Sequence, residues 1–255
     1  MTFADTQIIS YKYKKNAELF DGDIKGLQIS SIVALEFLGI MVKNENRAKM
    51  YPFNLNSFHT CMPLILKDSK RGFEFGKKIT DKLIIDFNGE FDSIVIYSNE
   101  TISNLINTQN LETLLLFAKN SLNKNDFKYF KERAQFLIDN EITVVPVTQK
   151  IISKMQYIYQ DIKSKYNVKN NYRNSFMDLI IVATALEKKE QLISGDNELN
   201  KVLKKCCQYL TISTSKTGIS TIDCYDKYTK KNVNADNKGY INNSWHIICT
   251  KPKIV

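Results

Sequence analysis

Four acidic residues of this 255-residue chain, Asp5, Glu36, Asp178 and Asp196, stand where carboxylates can work together. Asp5 ends a short apolar opening stretch that reads as the first strand. Glu36 lies in the first turns of an apolar helix that Ser30 or Ser31 can cap, since a Ser oxygen accepts an orphan N–H of a first turn. Asp178 sits in the first turn of a helix and is followed by eight uncharged residues; Asp196 follows a strand and begins a helix. Taken singly, Asp178 and Asp196 are accounted for as helix caps, contributing roughly 1 kcal/mol each, in the favourable field of the helix dipole. Glu36 alone is an ordinary residue of an amphipathic helix. Together they suggest more. Carboxylates gathered at a buried edge repel one another and resist desolvation. A divalent cation removes that penalty, and magnesium, which takes a few carboxylates and keeps several waters, suits an open site facing a phosphate.

For these four to meet, the chain must build an α/β sheet. Residues 142–147 (Ile-Thr-Val-Val-Pro-Val), 191–194 and 209–213 read as short strands. Helices are expected over about 98–122, over 124–139 with Phe127, Phe130, Ala134 and Leu137 at spacings of three and four, over 149–165, from 175 to 186, and over 197–205. The helix at 175–186 is apolar nearly all round, which marks it as the buried centre of a domain. Strands alternating with helices predict a largely parallel sheet with helices on both faces, an α/β/α sandwich. Sites in such sheets gather at the carboxyl ends of the strands. Residues 82–97 read as a β-hairpin, with Asn88-Gly89 supplying a two-residue type I′ turn.

Ala4-Asp5-Thr6, Ser30-Ser31-Ile-Val-Ala-Leu-Glu36, Phe176-Met-Asp178-Leu-Ile-Ile-Val-Ala-Thr-Ala185 and Leu192-Ile-Ser-Gly-Asp196 resemble, in order, the motifs of the PIN-domain nucleases, the family of the VapC toxins. The third motif, with the fourth eighteen residues later, carries most of the resemblance. It implies a PIN-like core over 1–44 and 125–214, an insertion over 45–124 and a basic C-terminal extension over 215–255. It implies a metal-dependent endonuclease, most often of RNA, with one or two Mg²⁺ or Mn²⁺ ions held by Asp5, Asp178 and Asp196 and with Glu36 orienting a second ion or a water. Thr6 keeps the hydroxyl that follows the first Asp, Ser194 keeps a hydroxyl where the family has Thr, and Glu198 falls where a further acidic residue is often found. Gln7 departs from the family's usual Asn or Ser. A toxin reading implies an antitoxin or other protein partner over the acidic site; DNA as a substrate and a homodimer are left open. Two other readings stand beside it: a catalytically inactive PIN-like module that binds nucleic acid or protein, and a phosphohydrolase on a similar sheet. The last usually wants Asp-x-Asp after the first strand, where Gln7 stands instead.

Composition bounds the rest. Apolar residues make up 43% and charged residues 25%, which excludes collagen-like and wholly disordered chains. Of the net charge of +9, residues 201–255 carry +7, from ten Lys against Asp223, Asp226 and Asp236. A basic segment of that kind holds phosphates by counterion release or is a solvated face. Tyr225, Tyr228, Tyr240 and Trp245, set among those lysines, either stack bases or pack the tail. Lys169 and Arg173, ahead of the Asp178 helix, are placed to reach a substrate phosphate or serve as loop residues. Five cysteines without a C-x-x-C, a start without a signal-peptide pattern and no run of about 18 apolar residues fit a cytoplasmic protein with no membrane segment. His59 and His246 lie outside all four motifs, so no histidine is needed as a general base.

Overall fold

The computed structural model of the chain describes residues 1–39, 83–86, 95–97, 99–119, 122–162, 172–207, 209–224 and 245–248. The elements are, in order, β1 (Thr2–Ala4), α1 (Thr6–Tyr13), β2 (Gln28–Ser30), α2 (Ser31–Leu38), β3 (Leu83–Asp86), β4 (Val95–Tyr97), α3 (Asn99–Asn107), α4 (Leu111–Lys119), α5 (Lys124–Asp139), β5 (Thr143–Val145), α6 (Gln149–Ile162), α7 (Tyr172–Lys188), β6 (Gln191–Ser194), α8 (Asn197–Cys206), β7 (Thr211–Thr214), β8 (Ser220–Asp223) and β9 (Trp245–Ile248).

Six strands form the central sheet in the order β5-β2-β1-β6-β8-β7. The first four run parallel, with Phe3 opposite both Gln28 and Leu192, and Ile29 opposite Val144. β8 then enters antiparallel to both β6 and β7, so the sheet is mixed rather than largely parallel. Residues 215–218 turn the chain from β7 into β8: Ser215 N–H donates to Ile219 O at 2.8 Å and Gly218 N–H to Ser215 O at 3.1 Å. Gly218 has φ +82°, a conformation that costs glycine little and other residues much. Ile222 is buried between Leu192 and Ile212, so the sheet extends past residue 214, where the core was expected to end.

The expected buried helix is α7. Met177, Leu179, Ile180, Ile181, Val182, Ala183, Ala185 and Leu186 are all buried. It starts at Tyr172, three residues before the expected Ser175, which moves Asp178 from the first turn to the second. Thr184 Oγ1 lies 2.7 Å from the Ile180 carbonyl oxygen and 3.1 Å from Ser30 Oγ, tying α7 to the β2–α2 junction. α1 begins directly after Asp5, which caps it.

Two helices of the segment read as an insertion, α3 and α4, pack on this core. Ile102, Leu105 and Ile106 of α3 and Leu114 and Ala118 of α4 pack into it. Two asparagines fasten α3 to β5. Asn107 donates to Val144 O at 2.9 Å and accepts from Val144 N–H at 2.7 Å. Asn99, buried, does the same at Val147, both at 2.9 Å, and also accepts from the Ser31 hydroxyl. Buried backbone groups must find partners, and here side-chain amides supply them.

The remaining strands form a second sheet, β4-β3-β9. The hairpin is antiparallel as expected, with Leu83 opposite Tyr97 and Ile85 opposite Val95. A two-residue turn at Asn88-Gly89 would set Phe87 opposite Glu90, a register offset by three; the turn itself lies outside the described residues. β3 is flanked on its other side by β9, parallel, with Leu83 opposite Trp245. Tyr225, Tyr228 and Tyr240 lie outside the described residues. Among the described residues no helix is long and apolar enough to cross a membrane.

Truncating Asn107 leaves the Val144 backbone groups of β5 without their side-chain partner, and truncating Asn99 does so for the Val147 carbonyl just beyond it. Asn99→Ala is expected to destabilise the fold by about 2–3 kcal/mol and Asn107→Ala, which is less buried, by about 1–2 kcal/mol. Urea denaturation checks this; a loss below about 0.5 kcal/mol in both would show that water replaces the amides without penalty.

Candidate active site

The parallel register sets the site. Ala4 is opposite Ile193, so Asp5, one residue on, stands beside Ser194, and Asp5 N–H donates to Ile193 O at 3.0 Å. Both chains leave the sheet here as helix caps. Asp5 Oδ1 accepts from Ile8 N–H at 2.9 Å and caps α1; Asp196 Oδ1 accepts from Leu199 N–H at 2.9 Å and caps α8. Asp5 Oδ2 accepts from Gly195 N–H at 2.9 Å, and the Ser194 hydroxyl also bonds its carboxylate. Ser194 Oγ in turn accepts from Asp196 N–H at 3.1 Å. The capping reading therefore holds for Asp196 and not for Asp178, which stands in the second turn of α7; Asp5, not expected as a cap, is one as well, and the two caps fix both carboxylates to one edge.

Glu36 arrives from the far end of α2, whose first turn Ser30 caps by accepting from Ile32 N–H at 3.3 Å. The Thr6 hydroxyl donates to Glu36 Oε2. Asp178 comes from the second turn of α7 and is partly buried. Burial, followed by repulsion from Glu36, Asp196 and Asp5, pushes its carboxyl up to about 8. The four acidic residues named from the sequence are thus brought within electrostatic reach of one another. Asp5 is also raised: its burial outweighs the Ser194, Ile8 and Gly195 hydrogen bonds that stabilise its charge.

Convergence stops short of coordination. Among the described residues, no three His, Cys, Asp or Glu side chains are grouped as ligands of one ion. Asp5, Asp196 and Glu36 each have an oxygen that accepts from a neighbouring backbone N–H or hydroxyl. In donor chemistry the set fits a hard cation such as Mg²⁺ or Mn²⁺, because every candidate ligand is a carboxylate oxygen.

The remaining expectations divide. Thr6 and Ser194 hold carboxylates, as described. Glu198 is exposed on the first turn of α8 and is not among the charges that raise Asp178. Arg173 lies on the first turn of α7, its side chain outside what the structure describes, and Lys169 lies outside the described residues. The sequence reading missed Gly195. A Cβ there would sit 2.7 Å from Gln7 Oε1, so a larger residue would displace the Gln7 side chain where the Ser194–Asp196 turn closes on α1 and delivers its N–H to Asp5. The signal was available in the Ser-Gly-Asp run, which places a glycine between two polar residues at a strand end.

The raised Asp178 carboxyl has a consequence for stability without any cation. Its folded value, about 8, lies above the unfolded value of about 3.9. The stability tied to its proton is full below the unfolded value and is lost as pH rises through the folded one. Asp178→Asn, which carries no charge, should therefore gain on the wild type as pH rises from 5 to 9, by on the order of 1–3 kcal/mol. Urea melts at pH 5, 7 and 9 in chelator measure the difference; a constant gap between the two proteins would contradict the charge crowding.

No protein-family model matches this chain, and neither a curated protein nor a solved structure matches it.

Proposed function

We propose that the chain is a metal-dependent endoribonuclease of PIN type, working at the edge where Asp5, Glu36, Asp178 and Asp196 meet. The observation that carries this reading is the charge crowding at Asp178, whose three repelling neighbours are the other three carboxylates of the motif set. A fold gains nothing from holding four acids together unless a cation or a proton relieves them.

Asp5, Asp178 and Asp196 would hold Mg²⁺ or Mn²⁺, with Glu36 beside them. When bound, such an ion polarises a phosphodiester and lowers the pKa of a water for in-line attack. The chain's own groups prepare the site. Ser194 and the N–H groups of Ile8 and Gly195 fix Asp5. Thr6 fixes Glu36. The amino ends of α1 and α8 lie at the same edge, a favourable field for a phosphate. With its carboxyl raised, Asp178 would have to lose a proton to hold a cation, so cation binding would strengthen as pH rises. RNA as the substrate, and a toxin, defence or RNA-processing role with an antitoxin or other partner, rest on the motif resemblance.

One observation favours a second reading, a PIN-like module without catalysis that binds nucleic acid or protein: no three of the described side chains are grouped as ligands of one ion.

Incubation of a mixed RNA pool with purified protein, in Mg²⁺, in Mn²⁺ and in chelator, decides between them. The nuclease reading expects metal-dependent cleavage that falls at least about 100-fold in Asp178→Asn. Cleavage that survives Asp178→Asn unchanged would falsify it. Absence of cleavage together with absence of calorimetric Mn²⁺ binding by a folded wild type would favour the module.

A further inference from the structure

A groove of about 590 Å³ opens between the carboxyl-terminal end of α1 and the outer face of α5. Lys12 and Lys15 stand on one wall, and Lys128 and Lys131, one helical turn apart, on the other. Its floor is aromatic: Tyr13 meets Phe136 edge to face at 5.3 Å and Phe37 at 5.4 Å. We propose that this groove binds the phosphate backbone of a single RNA strand that runs on from the acidic edge. The proposal rests on the nuclease reading for the identity of the strand; the groove itself is argued from its own residues.

Three of its four lysines are not committed elsewhere. Lys25 is paired with Glu141 and Lys154 with Glu187. The exposed ammonium groups of Lys15, Lys128 and Lys131 make no ion pair among the described residues, although two acids, Glu132 and Asp139, line the same groove. Asp139 accepts instead from Gln135 Nε2, also in the groove, at 2.7 Å. Lys12 differs: its Nζ donates to Gly22 O at 2.7 Å and serves the loop after α1. Three uncommitted cations over a fixed aromatic floor fit a polyanion with planar bases, the combination by which single strands are held.

The groove also shares a wall with the acidic edge. Glu36 accepts from Thr6, and the next residue of α2, Phe37, packs on the floor. Arg133 of α5 locks this arrangement by donating to Phe37 O at 3.0 Å and Gly39 O at 2.6 Å. Along α1, Thr6 at the site and Tyr13 in the groove are seven residues apart, about 10 Å of helix. That span is roughly three stacked nucleotides at about 3.4 Å each. A strand lying across the carboxylates reaches the lysines within a few nucleotides, so the groove would act on long substrates and not on very short ones.

The test is fluorescence anisotropy of a labelled 15-nucleotide RNA, titrated across salt in the Asp178→Asn background so that the probe stays intact. Adding Lys15→Gln, Lys128→Gln and Lys131→Gln together is expected to weaken binding about tenfold near 0.1 M salt and to reduce the slope of log K against log salt by about 2, at roughly 0.7 per lost phosphate contact. A control removes the same charge elsewhere, with Lys150→Gln, Lys188→Gln and Lys204→Gln, and should leave affinity and slope as they were. All six positions are exposed, so melting curves should coincide. Equal losses in both triples, an unchanged groove triple, or binding of an acidic peptide but no RNA at these lysines overturns the proposal. If the wild type cleaves nothing while the groove triple still loses RNA affinity, the nuclease reading falls and the groove stands. If the wild type cleaves and the triple binds like its parent, the reverse holds.

Discussion

Asp178 sits where burial and three neighbouring carboxylates all oppose its ionisation, and much of the surrounding architecture is arranged about that conflict. The apolar α7 helix delivers it from within the core, so its backbone cannot retreat into solvent. The parallel register of β1 and β6 puts Asp5 and Asp196 on the same edge, and α2 reaches that edge with Glu36 at its far end. Three of the four acids are then steadied by donors from adjacent elements: Thr6 for Glu36, Ser194 and Gly195 for Asp5, Leu199 for Asp196. These bonds lessen the repulsion without abolishing it, and Asp178, the acid with the least support among the described contacts, carries the remainder.

The two roles of Asp5 and Asp196 are not in competition. A capping carboxylate accepts with one oxygen from the first turn of its helix, and an oxygen has a second lone pair while the carboxylate has a second oxygen. Capping therefore fixes each group at the sheet edge by one oxygen.

What the sequence discloses about this molecule follows the range of the forces involved. α5, α6 and α8 are legible because their apolar spacing is local, and α7 because it is apolar throughout. The four acids are legible because motif order survives any uncertainty in the sheet. α1 is not, since Thr6-Gln-Ile-Ile-Ser-Tyr11 favours a strand by composition and becomes a helix only through the Asp5 cap and the packing of Ile8 and Ile9. β8 hides in a Ser/Thr-rich stretch, and only the Gly218 turn and the alternation ending at Ile222 mark it. The pairing of β3 with β9 joins segments 162 residues apart, for which no local pattern exists. α3 and α4 have the expected helical pattern, but the fastening of α3 to the β5 flank uses Asn99 and Asn107, a match of side-chain amide to backbone that periodicity does not encode.

That match has a consequence for how copies of this chain can meet. Strand-to-strand addition needs a row of unsatisfied main-chain donors and acceptors on which a newcomer can template. At β5 the outward-facing groups of Val144 and those of Val147 just beyond it are already taken by two carboxamides anchored in α3. An incoming strand would have to evict both before forming its first bond. The six-stranded sheet is therefore polarised for assembly: its β5 flank is sealed by a pair of molecular plugs, and its other flank is β7, a short run of Thr211, Ile212, Ser213 and Thr214 with three of the four exposed.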